Sequence, residues 1–448
     1  MTGATKFLYT NFDSAVPSTS DYPRGNYSST SPEATPSSAS SNHSPINNAL
    51  LRRVHTKSRR GCLNCKRRRI KCPENHPDCT QCTKRGLTCE WPEIQIEQTG
   101  NDGKRVARAI PRQVDSPNTF SIEDFRLFNH FITECHPSHP LGNEEQWTHA
   151  IPSIAHNHEY LLHAMLALAA SDISECNPND TALAVSGMNH RVRAIETLST
   201  ALSRGVHTME EGNAMLATCY TLVFQSALIA DGFPEYMSFI RGCMVVAWQM
   251  GVKQLTFLFQ GILSDEQLER MGPHLKGAAD IDPVLTNGAI GSLEACRPLV
   301  MKDAEMAFHQ CLLEIVQAVQ ISSRQAYIGI MKIYAIFAYN MSAIEFHEFI
   351  HPDNQVGLLL QAHMIAIQVI MEPVFNAEDR ANEDAGTKKK KPWRPKHAGS
   401  VAWLNSIEEK ISDEMAPWFA WPIAQRDAAR ARIAEETLAH SQALLKAF

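Results

Sequence analysis

Six of the twelve cysteines crowd into one short stretch, Gly61 to Cys89, and their spacing carries chemistry. Cys62, Cys65, Cys72, Cys79, Cys82 and Cys89 read C-x2-C-x6-C-x6-C-x2-C-x6-C, two C-x2-C-x6-C units joined by a six-residue spacer. Thiolate sulfur is a soft ligand that suits zinc, and a tetrahedral zinc takes four ligands. Two zincs held separately would need about eight sulfurs; about six suffice where two of them each touch both metals. The repeat offers two equivalent bridging positions, the first cysteine of each half.

Other readings of the six cysteines fit less well. A disulfide framework belongs to small secreted chains, and the start MTGATKFLYT has neither the basic residues nor the apolar core of a secretory signal. A single-zinc RNA-binding finger would leave two thiols idle. The disulfide reading also gives no reason for the basic run around the cysteines, which holds ten Lys/Arg and no acid between Leu51 and Lys71. That run suits phosphate binding and nuclear import. Charge is unevenly divided. Arg52 to Trp91 carries 12 Lys/Arg against 3 Asp/Glu, whereas the rest of the chain carries 30 against 45, for a net charge of −6. A basic module on an acidic body is the electrostatic footprint of nucleic-acid binding by the module alone.

With CKRRRIKC and Pro77 in register with the cysteines, the stretch resembles the fungal zinc binuclear cluster, the Zn(II)2Cys6 transcription-factor family. The resemblance implies two Zn2+ per chain. Cys62 and Cys79 would bridge both, Cys65 and Cys72 would complete one zinc, and Cys82 and Cys89 the other. It also implies double-stranded DNA as partner, with a CGG- or TCG-like half-site. A short helix from Cys65 to Cys72 would present Lys66, Arg67, Arg68, Arg69 and Lys71, with Arg59 and Arg60 just before it. Arginine pairs bidentately with guanine O6 and N7, and in the family pattern Arg68 and Arg69 approach base edges. The family usually has Lys where this chain has Arg69, so the base read there is open.

The remaining chain must position this module and use its output. Residues 1–50 are rich in Ser, Thr, Pro and Asn; they bury too little apolar surface to offset ordering entropy and are expected to form a disordered tail. The module is assigned to 51–92. Leu63, Ile70, Leu87 and Trp91 are its main apolar residues, so its folding should depend on metal. Residues 93–118 read as a linker punctuated by Gly, Asn, Asp and Pro. No a/d heptads follow the module, which favours a monomer or a dimer formed through the large domain. Residues 119–448 read as all-α. Ser121 and Asp124 form a capping box with Phe120 and Phe125 as staple, and Ile122, Phe125, Phe128 and Ile132 fall on one face. Further helices are expected at 160–170, from a Thr208–Glu211 capping box to Ala230, and at 236–250, 301–321, 325–346, 355–371, 400–415 and 425–446. Residues 377–399 read as a charged loop. No run of about 18 strongly apolar residues suggests a membrane span.

FRLFNHFITE, YLLHAMLALAASDIS, GLLLQAHMIAIQVIM and VAWLNSIEEKI resemble the helical regulatory domain of sterol-uptake-control factors, over roughly 120–415. That likeness implies a lipid or sterol-like ligand, although Met244, Trp248, Met364 and Met371 are individually expected as core. His347-Glu348-Phe349-Ile350-His351 matches H-E-x-x-H, but Pro352 disfavours helical geometry at His351. Cys135-His136-Pro137-Ser138-His139 and His156-Asn157-His158 lack a clear fourth ligand. The sequence therefore points to a nuclear, non-enzymatic, zinc-dependent DNA-binding transcription factor that recruits the transcription machinery and shuttles, if at all, with the cytoplasm. A ligand-sensing receptor is the first alternative and a metalloenzyme at HEFIH the second.

Overall fold

The computed structural model describes residues 62–68, 70–75, 77–89, 120–137, 142–177, 179–259, 265–276, 281–384 and 394–447. The expected tail, the linker, and Arg59, Arg60, Arg69 and Trp91 lie outside these residues. Two compact units emerge, a small one within 62–89 and a large one within 120–447.

The small unit has two short helices, α1 (Leu63–Arg67) and α2 (Thr80–Thr83). Leu63, Ile70 and Leu87 are exposed, and the buried cluster consists of cysteines alone. No apolar core of ordinary kind exists among its described residues.

The large unit contains α3 (Ile122–His130), which runs into a π-turn at Phe131–Cys135, then α4 (Glu159–Cys176), α5 (Thr181–Arg204), α6 (Met209–Ser226) and α7 (Phe233–Val252). These are followed by α8 (Asp265–Lys276), α9 (Pro283–Cys296), α10 (Asp303–Ile321), α11 (Ser323–Tyr339) and α12 (Ala343–Phe349). The last four are α13 (Gln355–Ile370), α14 (Glu372–Asp384), α15 (Ala398–Glu408) and α16 (Ala420–Ala447). No strand occurs among the described residues, and no single helix there is long and apolar enough to cross a membrane.

Two apolar cores share one helix. Phe239, Cys243, Val246 and Met250 of α7 join the first core with α3 to α6, while Phe233, Met237 and Ile240 join the second with the later helices. Polar side chains fix this helix where apolar packing alone would allow sliding. The buried Arg191 of α5 donates to Gln225 Oε1 at 2.9 Å and to Ser226 Oγ at 2.9 Å, and it pairs with Glu235. The buried Arg241 of α7 donates to the carbonyl oxygens of Phe337 and Met341 and lies over the Phe346 ring. The Phe337 carbonyl lies in the last turn of α11, where intrahelical donors run out, and the Met341 carbonyl lies in the turn between α11 and α12.

Several sequence expectations change in the structure. The Ser121–Asp124 capping box forms in full. Ile122 and Phe125, however, are largely exposed, and Leu127, Phe131 and Cys135 make the buried face; Phe120 lies against the His163 ring. At Thr208 only half the box forms, because Glu211 accepts from the His207 N–H rather than from Thr208. That helix stops at Ser226. The single helix expected over 325–346 is two, since Ser342 and Glu345 make a second full capping box that starts α12. The loop expected at 377–399 does not begin before Asp384, where α14 ends.

Replacing Arg241 with Met should take this donor from two carbonyls, at the end of α11 and in the turn after it, in a buried site. The expected loss is about 2–3 kcal/mol, read as a lower urea midpoint by far-ultraviolet circular dichroism. An unchanged midpoint would show that the Arg241 contacts do not hold α7 to α11.

Candidate metal centre and nucleic-acid interface

The repeat seen in the sequence is also a repeat of local structure. Cys62 and Cys79 occupy equivalent positions, each the residue before a short helix with extended backbone. Cys65 and Cys82 follow three residues later and turn inward. The Cys65 N–H donates to Cys62 Sγ at 3.4 Å, the Cys79 N–H to Cys89 Sγ at 3.1 Å, and the Glu74 N–H to Cys72 Sγ at 3.4 Å. Such N–H···S bonds hold sulfur ligands in orientation and favour the thiolate.

The sulfurs fall into two overlapping sets of four. One is Cys62, Cys65, Cys72 and Cys79; the other is Cys62, Cys79, Cys82 and Cys89. Cys62 and Cys79 belong to both. Sulfur separations are 3.8 Å for Cys62–Cys79, 3.7 Å for Cys62–Cys82, 3.5 Å for Cys65–Cys79 and 3.9 Å for Cys62–Cys72. Four thiolates bonded to one zinc stand about 3.8 Å apart, whereas a disulfide requires about 2.05 Å. The donor set therefore fits zinc, and all twelve cysteines remain unbridged. Without metal the thiols cannot all ionise together. Burial, then the sulfurs of Cys79 and Cys62, push Cys65 up to about 12. Burial and Cys79 likewise push Cys82 up to about 12. At Cys79 burial opposes ionisation, but the Cys82 N–H and neighbouring sulfurs outweigh it and draw the thiol down to about 6. Cys62 is lowered too, its burial overcome by the Cys65 N–H and nearby sulfurs. The two cysteines common to both sets are thus the two drawn toward the thiolate.

Basic side chains surround this sulfur core. Lys66 and Arg67 on α1, and Lys71, Lys84 and Arg85, are exposed. Arg68 is half-buried, and its Nη1 is enclosed without a hydrogen-bond partner among the described residues. Two positioning residues escaped the sequence reading. Asn64 donates from Nδ2 to the Thr88 carbonyl at 2.8 Å, and Asp78 accepts from the Cys89 N–H at 2.5 Å. Asp78 adjoins Cys79 in sequence, which is the signal that could have found it.

Residues 60–98 match the family model described as the fungal Zn(2)-Cys(6) binuclear cluster domain. Residues 60–98 therefore form a domain of that family. Residues 126–271 match the fungal specific transcription factor domain, a stretch that takes in the first apolar core. The chain is 26% identical to a Zn(2)-C6 fungal-type transcription factor of Aspergillus fumigatus, over 44% of this chain and 55% of the relative. It is 27% identical to another of Gibberella zeae, over 39% of this chain and 47% of the relative. It thus spans about half the length of these curated relatives. Sterol uptake control protein 2 of Saccharomyces cerevisiae is 41% identical over 64 residues, 14% of this chain and 7% of that protein. No solved structure matches the chain.

The H-E-x-x-H pair gathers no third ligand among the described residues: the His347 and His351 rings stand 5.8 Å apart, but no further ligand atom joins them. His139 of the Cys135–His139 motif lies outside the described residues. Helix α12 ends at Phe349, so His351 lies beyond it and contacts Asp353, while Glu348 pairs with Lys302 at 2.9 Å. The H-E-x-x-H residues therefore do not share one helical face. His136 is held by the Ile132 carbonyl at 2.9 Å and Glu144 at 3.1 Å, and His158 by Glu210 at 3.2 Å. Cys135 instead comes near His130 and Asp172. There the Arg394 guanidinium already lies 3.0 Å from both Asp172 and Glu175, supplying the positive charge. Met364 and Met371 are core, as expected, whereas Met244 lines a cavity of about 350 Å³.

A chelator should unfold the small unit and spare the large one. The expected outcome is faster protease cleavage within 62–89 with the urea midpoint of the helical unit unchanged. Cleavage indifferent to chelation would remove metal from the account of this unit's fold.

Proposed function

We propose that the chain is a nuclear, zinc-dependent, sequence-specific regulator of transcription that binds duplex DNA through its cysteine module. The observation that carries this reading is the pair of four-sulfur sets sharing Cys62 and Cys79, ringed by exposed cations. In this reading two zincs are held, with Cys62 and Cys79 bridging, Cys65 and Cys72 on one metal, and Cys82 and Cys89 on the other. The metal supplies the folding free energy of the unit. Lys66, Arg67 and Lys71, together with Arg59 and Arg60, meet phosphates, and Arg68 and Arg69 approach the base edges of a CGG- or TCG-like half-site. Arg68 would swing out of its half-buried position to do so. Phosphate contacts make such binding fall with salt.

The helical unit serves in this proposal to recruit the transcription machinery and to sense a small apolar ligand. The cavity of about 350 Å³ beside α7 supports the sensing part, since ligand sites are typically concave and mainly apolar. A link to sterol metabolism rests only on a relative's name, and a link to secondary metabolism only on the family resemblance. Dimerisation, if any, runs through this unit.

Elemental analysis of the purified chain should find two zincs. Cys62→Ala should remove both, while Cys89→Ala should spare one. Equal losses for the two variants would contradict the bridging assignment. In site selection from random duplex DNA, Arg69→Ala should reduce the ratio of specific to nonspecific affinity by about tenfold, the scale of one bidentate base contact, and leave the salt dependence nearly intact. An unchanged ratio would take Arg69 off the base edges.

A further inference from the structure

The cavity beside α7 has an uneven wall. Most of it is apolar, with Phe224, Met331 and Phe375 among its residues. Tyr236, Tyr334 and Trp403 line it as well, and Glu378 is the one charged residue among those lining it. The rings come from three helices and are held by hydrogen bonds. Trp403 donates its indole N–H to the Ile229 carbonyl at 3.0 Å. The Tyr236 and Tyr334 hydroxyls meet at 3.2 Å, and the Gln368 amide donates to Tyr334 at 3.1 Å. Tyr236 stands 5.1 Å from Trp403 with planes at 52°, and 6.4 Å from Tyr334 at 72°. Burial raises both tyrosines well clear of neutral pH, so they remain uncharged.

Aromatic rings and a single carboxylate lining one cavity form a site with a definite preference. The ring faces carry negative potential and attract cations, most strongly when water is excluded. A carboxylate adds Coulombic attraction for a cation and repels an anion. An uncharged ligand without a hydrogen-bond donor, pressed against Glu378, would take water from the carboxylate and return nothing. A fatty acid or phosphorylated lipid would meet like charge. The apolar remainder of the wall suits a hydrocarbon body.

We propose that this cavity binds an organic ammonium, protonated or quaternary, carried on an apolar body, with Glu378 as counter-ion and Tyr236, Tyr334 and Trp403 as the ring wall. The proposal rests on the sensing role given above to the same cavity, and it names the ligand class.

The test compares two probes of nearly equal shape on the full chain at fixed ionic strength. One is benzyltrimethylammonium; the other is its uncharged carbon counterpart, neopentylbenzene. Titration calorimetry should show the ammonium binding about tenfold tighter or better. Glu378→Gln should erase most of that gap while the carbon probe binds as before, and Tyr334→Phe, which keeps the ring, should preserve the gap. Should Glu378→Gln fail to fold by circular dichroism, Glu378→Asp replaces it, and a smaller gap is expected. Equal binding of the two probes to the wild type would overturn the ammonium assignment and leave a cavity for neutral ligands. Ammonium binding indifferent to Glu378 would place it elsewhere on this acidic chain and overturn the site. Binding of neither probe would remove the sensing role as well.

Discussion

Sulfur packing is the constraint on which the small unit depends. Five of its cysteines are buried, and among its described residues nothing else is buried with them. A chain of this length cannot bury enough apolar area to offset its ordering entropy, and Leu63, Ile70 and Leu87 do not try. The helices are too short to persist by themselves. What remains is the donor set, whose sulfurs sit at separations that suit tetrahedral metal. The short helices, the Asn64–Thr88 tie and the Asp78–Cys89 bond act by aiming sulfur.

The large unit is held by the opposite means, with apolar cores fastened at a few polar points. α7 belongs to both cores, so its register sets the register of each. Arg191 and Arg241 reach from buried positions to groups that need donors: a glutamine, a serine, a carboxylate and carbonyls at and just beyond the end of α11. Apolar contacts are nondirectional and tolerate sliding, whereas these bonds do not. Gly288 shows the same demand in steric form, because a Cβ there would meet the Trp421 indole at 2.9 Å.

How much of this could be read from the chain follows from which properties belong to residues and which to packing. Soft-ligand character is intrinsic to cysteine, so six of them in register declared a metal site without any tertiary knowledge. Strongly apolar segments, such as those that became α4 and α13, declared themselves as helices for the same reason. α5 did not, because its buried face includes Gly187, Arg191 and Ser199, which read as surface or turn. α9 carries Gly288 and Gly291 and is not among the helices expected from the sequence. The face chosen in α3 went astray since Ile122 and Phe125 are apolar at correct spacing, yet the chain docks through Leu127 and Phe131. The place and lining of the cavity were beyond reach. Its wall is gathered from α6, α7, α11, α14 and α15, with residues as distant as Tyr220 and Trp403.

Holding the small unit together through sulfur also settles what its surface can be. An apolar core must be covered, and covering it uses side chains that then cannot point outward. A core of six cysteines consumes only those six residues and leaves Lys66, Arg67, Lys71, Lys84 and Arg85 exposed around it. In the proposed cluster six thiolates and two Zn2+ together carry about −2, too little to cancel the excess of basic residues in this region. A compact unit of high positive charge density is therefore available at a length where apolar folding would fail. The remainder of the chain carries the acidic excess, so attraction to phosphate falls to the sulfur-held unit and the helical unit is free to build its chemistry around apolar cores and a cavity.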